Sequence, residues 1–307
     1  MHKLAVKCKA FFINPLDALL KKAHRQKKSR FLIVWNRGLG DIALGLYALV
    51  CRIKQWVPHA NIVFITRADL SEGFALLEGV SVLVDSSWER GKPFNLDAAL
   101  HKHNLEASMF DVVIEKPDPT RWVKWQLGKL TPKLKWDGAY NARSAKFSLD
   151  KSCVTYIGVH LDSETGNFYG YNKNWDMANW KELFSMIAKN KNVKILLFGM
   201  KKTTTFFMDN IIDLRGDTDL ISLIATIKNY CAYLVAPDSG VLAMAYYLDE
   251  EFPLKVVSLW SDTRQGILKQ KVASPNAKLV HIPLVGKNEN INNITPKSVY
   301  EALQLET

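Results

Sequence analysis

Short apolar runs separated by amphipathic stretches recur along the chain from Phe31 onward. Four runs in the first half predict buried strands: FLIVW, NIVFIT, VSVLVDS and DVVIE. Stretches with helical spacing lie between them, including residues 42–56 and 96–103. Continuous apolar strands that alternate with helices are typical of a parallel sheet covered on both faces. The pattern therefore predicts an α/β domain over residues 31–150.

A stretch of small, polar and charged residues over 138–152 interrupts the apolar rhythm and predicts a domain boundary. A second alternation follows, with predicted strands VTYIGVH, VKILLFG, AYLVA, KVVSLW and KLVHIPL. Helices are predicted near 177–189, 204–212 and 241–248. One further helix is predicted to end at Tyr230, and the final helix is predicted to begin near Thr295. The fold class predicted by this repetition is α/β, with two Rossmann-like domains, 31–150 and 151–307, facing a central cleft.

Residues 1–30 carry the highest density of basic residues, around the apolar clusters AFF and LDALL. This composition predicts a basic amphipathic N-terminal arm. Such an arm is able to lie on an anionic membrane surface, where each basic residue contributes about 1 kcal/mol. A solvated arm is the alternative, and the sequence leaves both open.

The whole chain is also basic, with 41 Lys and Arg against 30 Asp and Glu, which favours partners that carry phosphate. Its four cysteines show neither a CxxC pair nor zinc-ligand spacing, so we expect no metal site. No apolar run is long enough to suggest a membrane span, and we expect a cytoplasmic protein. A nucleic-acid partner is not expected, because no zinc-finger spacing or RNP-like run is present.

The loop NRGLGD follows the first predicted strand and precedes a helix. Gly38 and Gly40 allow a tight turn and a close approach of backbone N–H groups to a ligand. Arg37 and Asp41 stand where the carboxyl end of the strand meets the helix, which is where α/β domains bind ligands. An N-capping role for Asp41 is the structural alternative.

Three further candidates lie in the second half of the chain. The turn that contains Asp238, Ser239 and Gly240 opens an apolar helix, and such a helix start favours an anion. Lys173, in a loop before a helix, is able to neutralise a diphosphate as a compact charge. His160 ends the strand VTYIGVH and is a possible site residue. Helix capping and solvation are the corresponding structural interpretations.

Four of these motifs together resemble glycosyltransferase family 9, the ADP-heptose:lipopolysaccharide heptosyltransferases: RGLGD, KNW followed by NWKELF, DLRGDTDL, and DSG before an apolar helix. The resemblance implies the two-domain GT-B fold, with an N-terminal acceptor-binding domain and a C-terminal domain that binds the nucleotide-sugar donor. It implies an inverting transfer without metal or cofactor from an ADP-sugar. Asp41 would be the general base, Lys173 would stabilise the departing diphosphate, and the Asp238–Gly240 turn would hold the donor phosphates.

The resemblance also implies a lipopolysaccharide or lipid-linked sugar acceptor and a peripheral location on the inner face of the cytoplasmic membrane. Ala243 stands where the family commonly has a histidine, and Ser261 to Thr263 replace its Gly-Pro-Thr. These departures leave open another nucleotide-sugar donor or a catalytically decayed relative. Gly38, Gly40 and Ala43 also fit a GxGxxA fingerprint, so an NAD(P)-dependent oxidoreductase is a further alternative. The oligomeric state is not predicted.

Overall fold

The computed structural model describes residues 14–150, 152–170 and 172–305. The described residues up to Leu130 form one compact unit, and those from Thr131 onward form a second. The division precedes the predicted boundary at 138–152, because this stretch folds with the second unit. Residues Gly138–Phe147 form a 3₁₀ helix, and Asn229 donates hydrogen bonds to the Asn141 carbonyl and to Ser144 Oγ. The polar composition of residues 138–152 therefore belongs to a segment that packs on the second unit, not to a linker.

The first unit contains a four-stranded parallel sheet with strand order β3, β2, β1, β4. The strands are β1 Arg30–Trp35, β2 Asn61–Arg67, β3 Ser81–Asp85 and β4 Val112–Ile114. The α-helices are α1 Pro15–Arg25, α2 Tyr47–Trp56, α3 Ser71–Ala75, α4 Leu96–His101 and α5 Pro119–Trp122, with 3₁₀ turns at Ala68–Leu70, Ala107–Met109 and Lys124–Gln126. The central strand β1 is buried from Phe31 to Trp35, which explains its continuous apolar sequence.

Helix α2 is preceded by a turn of π-helix, Ile42–Leu46, which starts directly after the NRGLGD loop. Gly45 in this turn lies against Pro119 at the start of α5. A Cβ atom at Gly45 would be only 2.7 Å from Pro119 Cβ, so a glycine is required for this close approach. The packing fixes the direction in which the helix leaves the loop.

Helix α1 is an integral part of the first unit. Asn14 caps it by accepting a hydrogen bond from the Leu16 N–H, and its Leu16, Leu20 and Ala23 side chains are buried. Asp17 forms two hydrogen bonds with the guanidinium of Arg52, at 2.7 and 2.8 Å. The described part of the predicted arm, from residue 14, is therefore a packed helix, because its apolar side is buried. The remainder of the arm, residues 1–13, lies outside the described residues.

The second unit contains a six-stranded parallel sheet with strand order β10, β9, β8, β5, β6, β7. The strands are β5 Thr155–His160, β6 Val193–Phe198, β7 Ile211–Asp213, β8 Cys231–Pro237, β9 Leu254–Trp260 and β10 Leu279–Val285. The helices are α6 Glu164–Tyr169, α7 Met177–Ile187, α8 Leu220–Tyr230, α9 Gly240–Tyr246, α10 Gly266–Gln270 and α11 Pro296–Leu303, with 3₁₀ turns at Lys287–Glu289 and Ile291–Asn293. The strand order reverses between β5 and β8, and ligands of parallel α/β sheets bind at such a point.

The helix predicted over 204–212 is wrong. This segment is irregular up to the edge strand β7. Phe206 packs against Phe184, Phe207 is 93% exposed, and Met208 contacts the core, so the side chains alternate as in extended chain. The final helix is confirmed, with Thr295 as its N-cap and Pro296 in its first turn.

Candidate active site

The NRGLGD loop lies at the carboxyl end of β1, the central strand of the first unit. The Gly38 N–H donates a hydrogen bond to Asp41 Oδ2 at 3.2 Å. The Asp41 side chain makes no capping hydrogen bond to the following helix, so its carboxylate turns back over the loop. The guanidinium carbon of the exposed Arg37 lies 5.9 Å from the centroid of the Trp35 ring. The loop therefore presents a half-buried carboxylate at the ligand-binding edge of the sheet.

Two residues at the end of β2 hold this loop, a role that the sequence analysis missed. Thr66 Oγ1 donates to the Trp35 carbonyl at 2.7 Å, and Arg67 Nη1 donates to the Asn36 carbonyl at 2.9 Å. The Arg67 guanidinium, in a residue that is 2% exposed, also forms two hydrogen bonds of 2.9 Å with Asp69. An arginine near the end of the second strand is able to hold the phosphate of a phosphorylated dinucleotide. The Arg67 guanidinium is instead engaged within the unit. The sequence signal for this role of Arg67 is its position at a strand end, two residues before an aspartate.

The second unit brings Lys173 and Asp238 together at the point where its strand order reverses. Lys173 Nζ lies 2.6 Å from Asp238 Oδ2, and the side chains are 20% and 9% exposed. Lys173 comes from the loop between α6 and α7, and Asp238 directly follows β8. A lysine ammonium that is mostly removed from water requires such a charge partner. The pair is neutral overall, and it holds the Lys173 ammonium at the edge where the sheet is expected to bind its ligand.

The neighbours of Lys173 fix the loop that carries it. The Asn174 side chain accepts a hydrogen bond from the Ser163 N–H at 2.7 Å and donates one to Asn167 at 2.6 Å. Trp175 is buried and donates from its indole N–H to the Ile294 carbonyl at 3.0 Å. In the tripeptide KNW, the Asn174 amide and the buried Trp175 thus hold in place the loop that carries the Lys173 side chain.

Ser239 is the N-cap of α9, and its Oγ accepts a hydrogen bond from the Leu242 N–H at 3.2 Å. The capping interpretation of this turn is therefore correct for Ser239. Gly240 is the first residue of α9, and Ala243 lies on the same helix with 1% exposure. The helix offers no ionisable side chain at position 243.

Gly266, at the start of α10, lies against the carboxylate of Asp238. A Cβ atom at Gly266 would be 2.3 Å from Asp238 Oδ1 and 2.7 Å from Trp260 Cη2. The φ angle of Gly266 is +44°, a conformation that favours glycine. Its backbone therefore limits where the Asp238 carboxylate lies. This role of Gly266 is not predicted by the sequence.

The Trp260 ring that contacts Gly266 is held in turn by a buried hydrogen-bond chain. The Trp260 indole N–H donates to Ser258 Oγ at 2.6 Å, and Ser258 Oγ lies 2.7 Å from His281 Nε2. Burial lowers the pKa of His281 to about 4, so this ring is neutral at pH 7. These hydrogen bonds fix the orientation of the Trp260 ring beside Gly266.

His160 ends β5, beside the same reversal point. Burial lowers its pKa to about 4, and the nearby Asp162 opposes this shift only in part. Its Nδ1 is buried and has no hydrogen-bond partner among the described residues. A neutral imidazole with one unsatisfied nitrogen is suited to accept or donate a hydrogen bond, and the assignment of His160 to the site stays a prediction.

The described ranges contain no group of three or more histidine, cysteine, aspartate or glutamate side chains arranged to hold a metal ion. No helix in the described part of the chain is long and apolar enough to cross a membrane.

Comparisons with known proteins identify the family. The family model described as glycosyltransferase family 9 (heptosyltransferase) matches residues 124–293 of this 307-residue chain, which is more than half of it. Curated protein sequences give no match.

Similar solved structures agree with this assignment of the fold. E. coli ADP-heptose lps heptosyltransferase II has a TM-score of 0.61 at 18% identity, over 89% of this chain and 97% of that chain. The glycosyl transferase family 9 from Veillonella parvula DSM 2008 has a TM-score of 0.60 at 13% identity, over 90% and 96%. E. coli heptosyltransferase WaaC with ADP has a TM-score of 0.51 at 14% identity, over 90% and 99%. The predicted α/β fold of the GT-B type is confirmed, and the chain belongs to glycosyltransferase family 9, the heptosyltransferases, and is a glycosyltransferase.

Proposed function

We propose that this enzyme transfers heptose from ADP-heptose to a lipopolysaccharide inner-core acceptor, with inversion at the anomeric carbon. The ion pair of Lys173 and Asp238, at the strand-order reversal of the second unit, is the observation that carries the proposal. The family resemblance assigns Lys173 and the Asp238 turn separately to the donor diphosphate, and the ion pair supports this because it brings the two positions together. The related WaaC has been solved with ADP and with ADP-2-deoxy-2-fluoro heptose, which supports the choice of donor.

The second unit would bind the donor and stabilise the leaving group. Lys173 supplies a compact charge, which its partner Asp238 and the fixed KNW loop hold in place. As the bond between the anomeric carbon and the phosphate oxygen breaks, negative charge grows on ADP. A preorganised ammonium group stabilises that charge most effectively where water is excluded, so the reaction needs no metal in this proposal. Ser239 and Gly240 would contribute the N–H groups at the start of α9.

The first unit would supply the general base. Asp41 accepts the proton of the acceptor hydroxyl while that oxygen attacks the anomeric carbon, and ADP departs from the opposite side. One C–O bond forms and one breaks, so the anomeric configuration inverts in a single step. The hydrogen bond from Gly38 orients the carboxylate, and a positioned base contributes about 10²- to 10⁴-fold to the rate.

Each of the other predicted functions has an observation that bears on it. Ala243 removes the family histidine, so a different nucleotide-sugar donor is the second candidate. The intact Lys173 and Asp238 pair does not favour a decayed relative. The engaged Arg67 guanidinium does not favour an NADP-dependent oxidoreductase. A lipid-linked acceptor would place the enzyme at the cytoplasmic face of the inner membrane.

Thermal unfolding of the purified protein with ADP, ADP-heptose, UDP, CMP or NADP tests the donor. A ligand at about 100 times its Kd adds about 2.7 kcal/mol to the stability, which raises Tm by several degrees. Stabilisation by ADP and ADP-heptose alone is expected. Stabilisation by UDP or CMP instead would favour the second candidate donor, and stabilisation by NADP alone would refute the glycosyl-transfer proposal.

A transfer assay with a lipid A–Kdo acceptor tests the base. We expect Asp41→Ala to lose transfer by about 10²-fold or more while its stabilisation by ADP is unchanged. Asp97→Ala, which removes an exposed carboxylate of the same unit, is the matched control and should remain active. Near-normal transfer by Asp41→Ala would exclude this residue as the base.

A further inference from the structure

Helix α1 has two chemically different sides. Leu16, Leu20 and Ala23 are at most 1% exposed and face the interior of the first unit. The single acidic residue of the helix, Asp17, is bound by Arg52. The apolar side is therefore already buried, so the described helix has no apolar face with which to enter a lipid bilayer.

The opposite side of the helix is cationic. Lys21, Lys22 and Arg25 are exposed, and their spacing places them on one stripe of an α-helix. Lys27 extends the charge just beyond the helix end, in a turn with φ of +55°. These four residues are called the outer stripe. Within the described ranges, none of them forms an ion pair with a carboxylate.

We propose that the outer stripe docks the enzyme on an anionic lipid surface through charge alone, without insertion of the helix. The choice of lipid rests on the proposed function, because the acceptor there is a lipid-linked sugar. Each cation near an anionic leaflet raises partitioning about fivefold, so three of them together account for about a hundredfold. Because the attraction is between exposed charges, it decreases as salt shortens the Debye length.

The outer stripe fits a lipid surface better than a single-stranded nucleic acid. Proteins that bind single strands combine basic residues with aromatic side chains on which the bases stack. Residues 14–30 contain no Phe, Tyr or Trp. The stripe offers dispersed positive charge on the exposed side of a helix and on the turn that follows it, which is the form that an anionic surface contacts.

Sedimentation of the full-length protein with vesicles tests this docking surface. The vesicles contain phosphatidylcholine with or without phosphatidylglycerol, at about 0.02 M or about 0.5 M salt, where the Debye length is about 20 Å or about 4 Å. We expect binding only to the anionic vesicles and only at low salt. Binding that persists at high salt, or equal binding to both vesicles, would overturn docking by charge alone.

Charge-reversal variants locate the surface. Lys21→Glu/Lys22→Glu/Arg25→Glu should lower partitioning by at least about a hundredfold. Lys181→Glu/Lys189→Glu/Lys191→Glu changes the net charge equally, at exposed positions of the second unit, and should bind almost normally. Equal losses in the two variants would show a response to net charge and would refute the assignment.

Two further measurements serve as controls. Thermal unfolding checks that each charge-reversal variant is folded. If the variant of the outer stripe is unfolded, Lys21→Gln/Lys22→Gln/Arg25→Gln is used in its place. Wild-type protein that binds single-stranded RNA more tightly than the vesicles, through the same residues, would reassign the stripe to nucleic acid. Vesicle binding uses neither donor nor acceptor, so it can succeed where the transfer assay fails.

Discussion

Replacing Gly266 with alanine should both destabilise the second unit and disturb its donor site. The new Cβ would lie 2.3 Å from Asp238 Oδ1 and 2.7 Å from Trp260 Cη2, so at least one of them must move. Overpacking of this kind costs about 1–3 kcal/mol. The φ of +44° adds about 1 kcal/mol, because an alanine at this angle is strained. The total of about 2–4 kcal/mol predicts a fall in Tm of about 5–15 °C for a unit of this size.

Gly170→Ala is the matched control for this prediction. Gly170 also has a positive φ, +66°, but a Cβ atom there would have no neighbour within 4 Å. It should lose only the backbone contribution, about 1 kcal/mol and about 2–4 °C. Calorimetric unfolding of both variants, with and without ADP, separates the two effects. The reasoning is refuted if the two variants lose the same stability, or if Gly266→Ala is stabilised by ADP as strongly as the wild type.

Two other predictions concern packing and pH. Gly45→Ala should lower stability by about 1–3 kcal/mol because its Cβ would lie 2.7 Å from Pro119 Cβ, whereas Gly138→Ala, with no neighbour within 4 Å, should have little effect in the same denaturant titration. The pKa of His281 is about 4 in the fold and about 6.5 when unfolded, so its contribution to stability is complete above pH 6.5 and is lost as the pH falls toward 4. Stability measured against pH should vary less over this range in His281→Gln, and an identical profile would contradict the assignment.

The elements that sequence predicted well are those whose burial dominates their composition. Buried parallel strands such as β1 and β8 appear as continuous apolar runs, so they were found with nearly correct bounds. The helix predicted over 204–212 is wrong because residues 206–208 alternate inward and outward, as in extended chain. The sequence does not show this period of two, because residues 206–208, FFM, are all apolar.

The sequence predicts individual residues of the candidate site, but it does not predict which of them contact one another. The position of Lys173 and of Asp238 in loops was visible in the sequence, whereas their ion pair depends on β5 and β8 being neighbours in the sheet. Gly266 acts through packing that no local pattern encodes. The contact of Arg67 with the Asn36 carbonyl also depends on the pairing of β1 with β2, although the aspartate two residues after Arg67 is a local signal. Long-range neighbours of this kind follow from topology, which a single sequence does not specify.

The edge-to-face pair of Trp175 and Trp180 has an optical consequence. Their ring centroids are 4.8 Å apart and the rings are inclined by 85°, so the excited states of the two indoles couple and give a circular dichroism couplet. Trp175 lies two residues from Lys173, so the couplet should stay unchanged on ligand binding where the loop remains fixed and should change where the loop backbone moves. The wild-type chain therefore carries its own spectroscopic reporter of this loop, and Trp180→Phe would silence it.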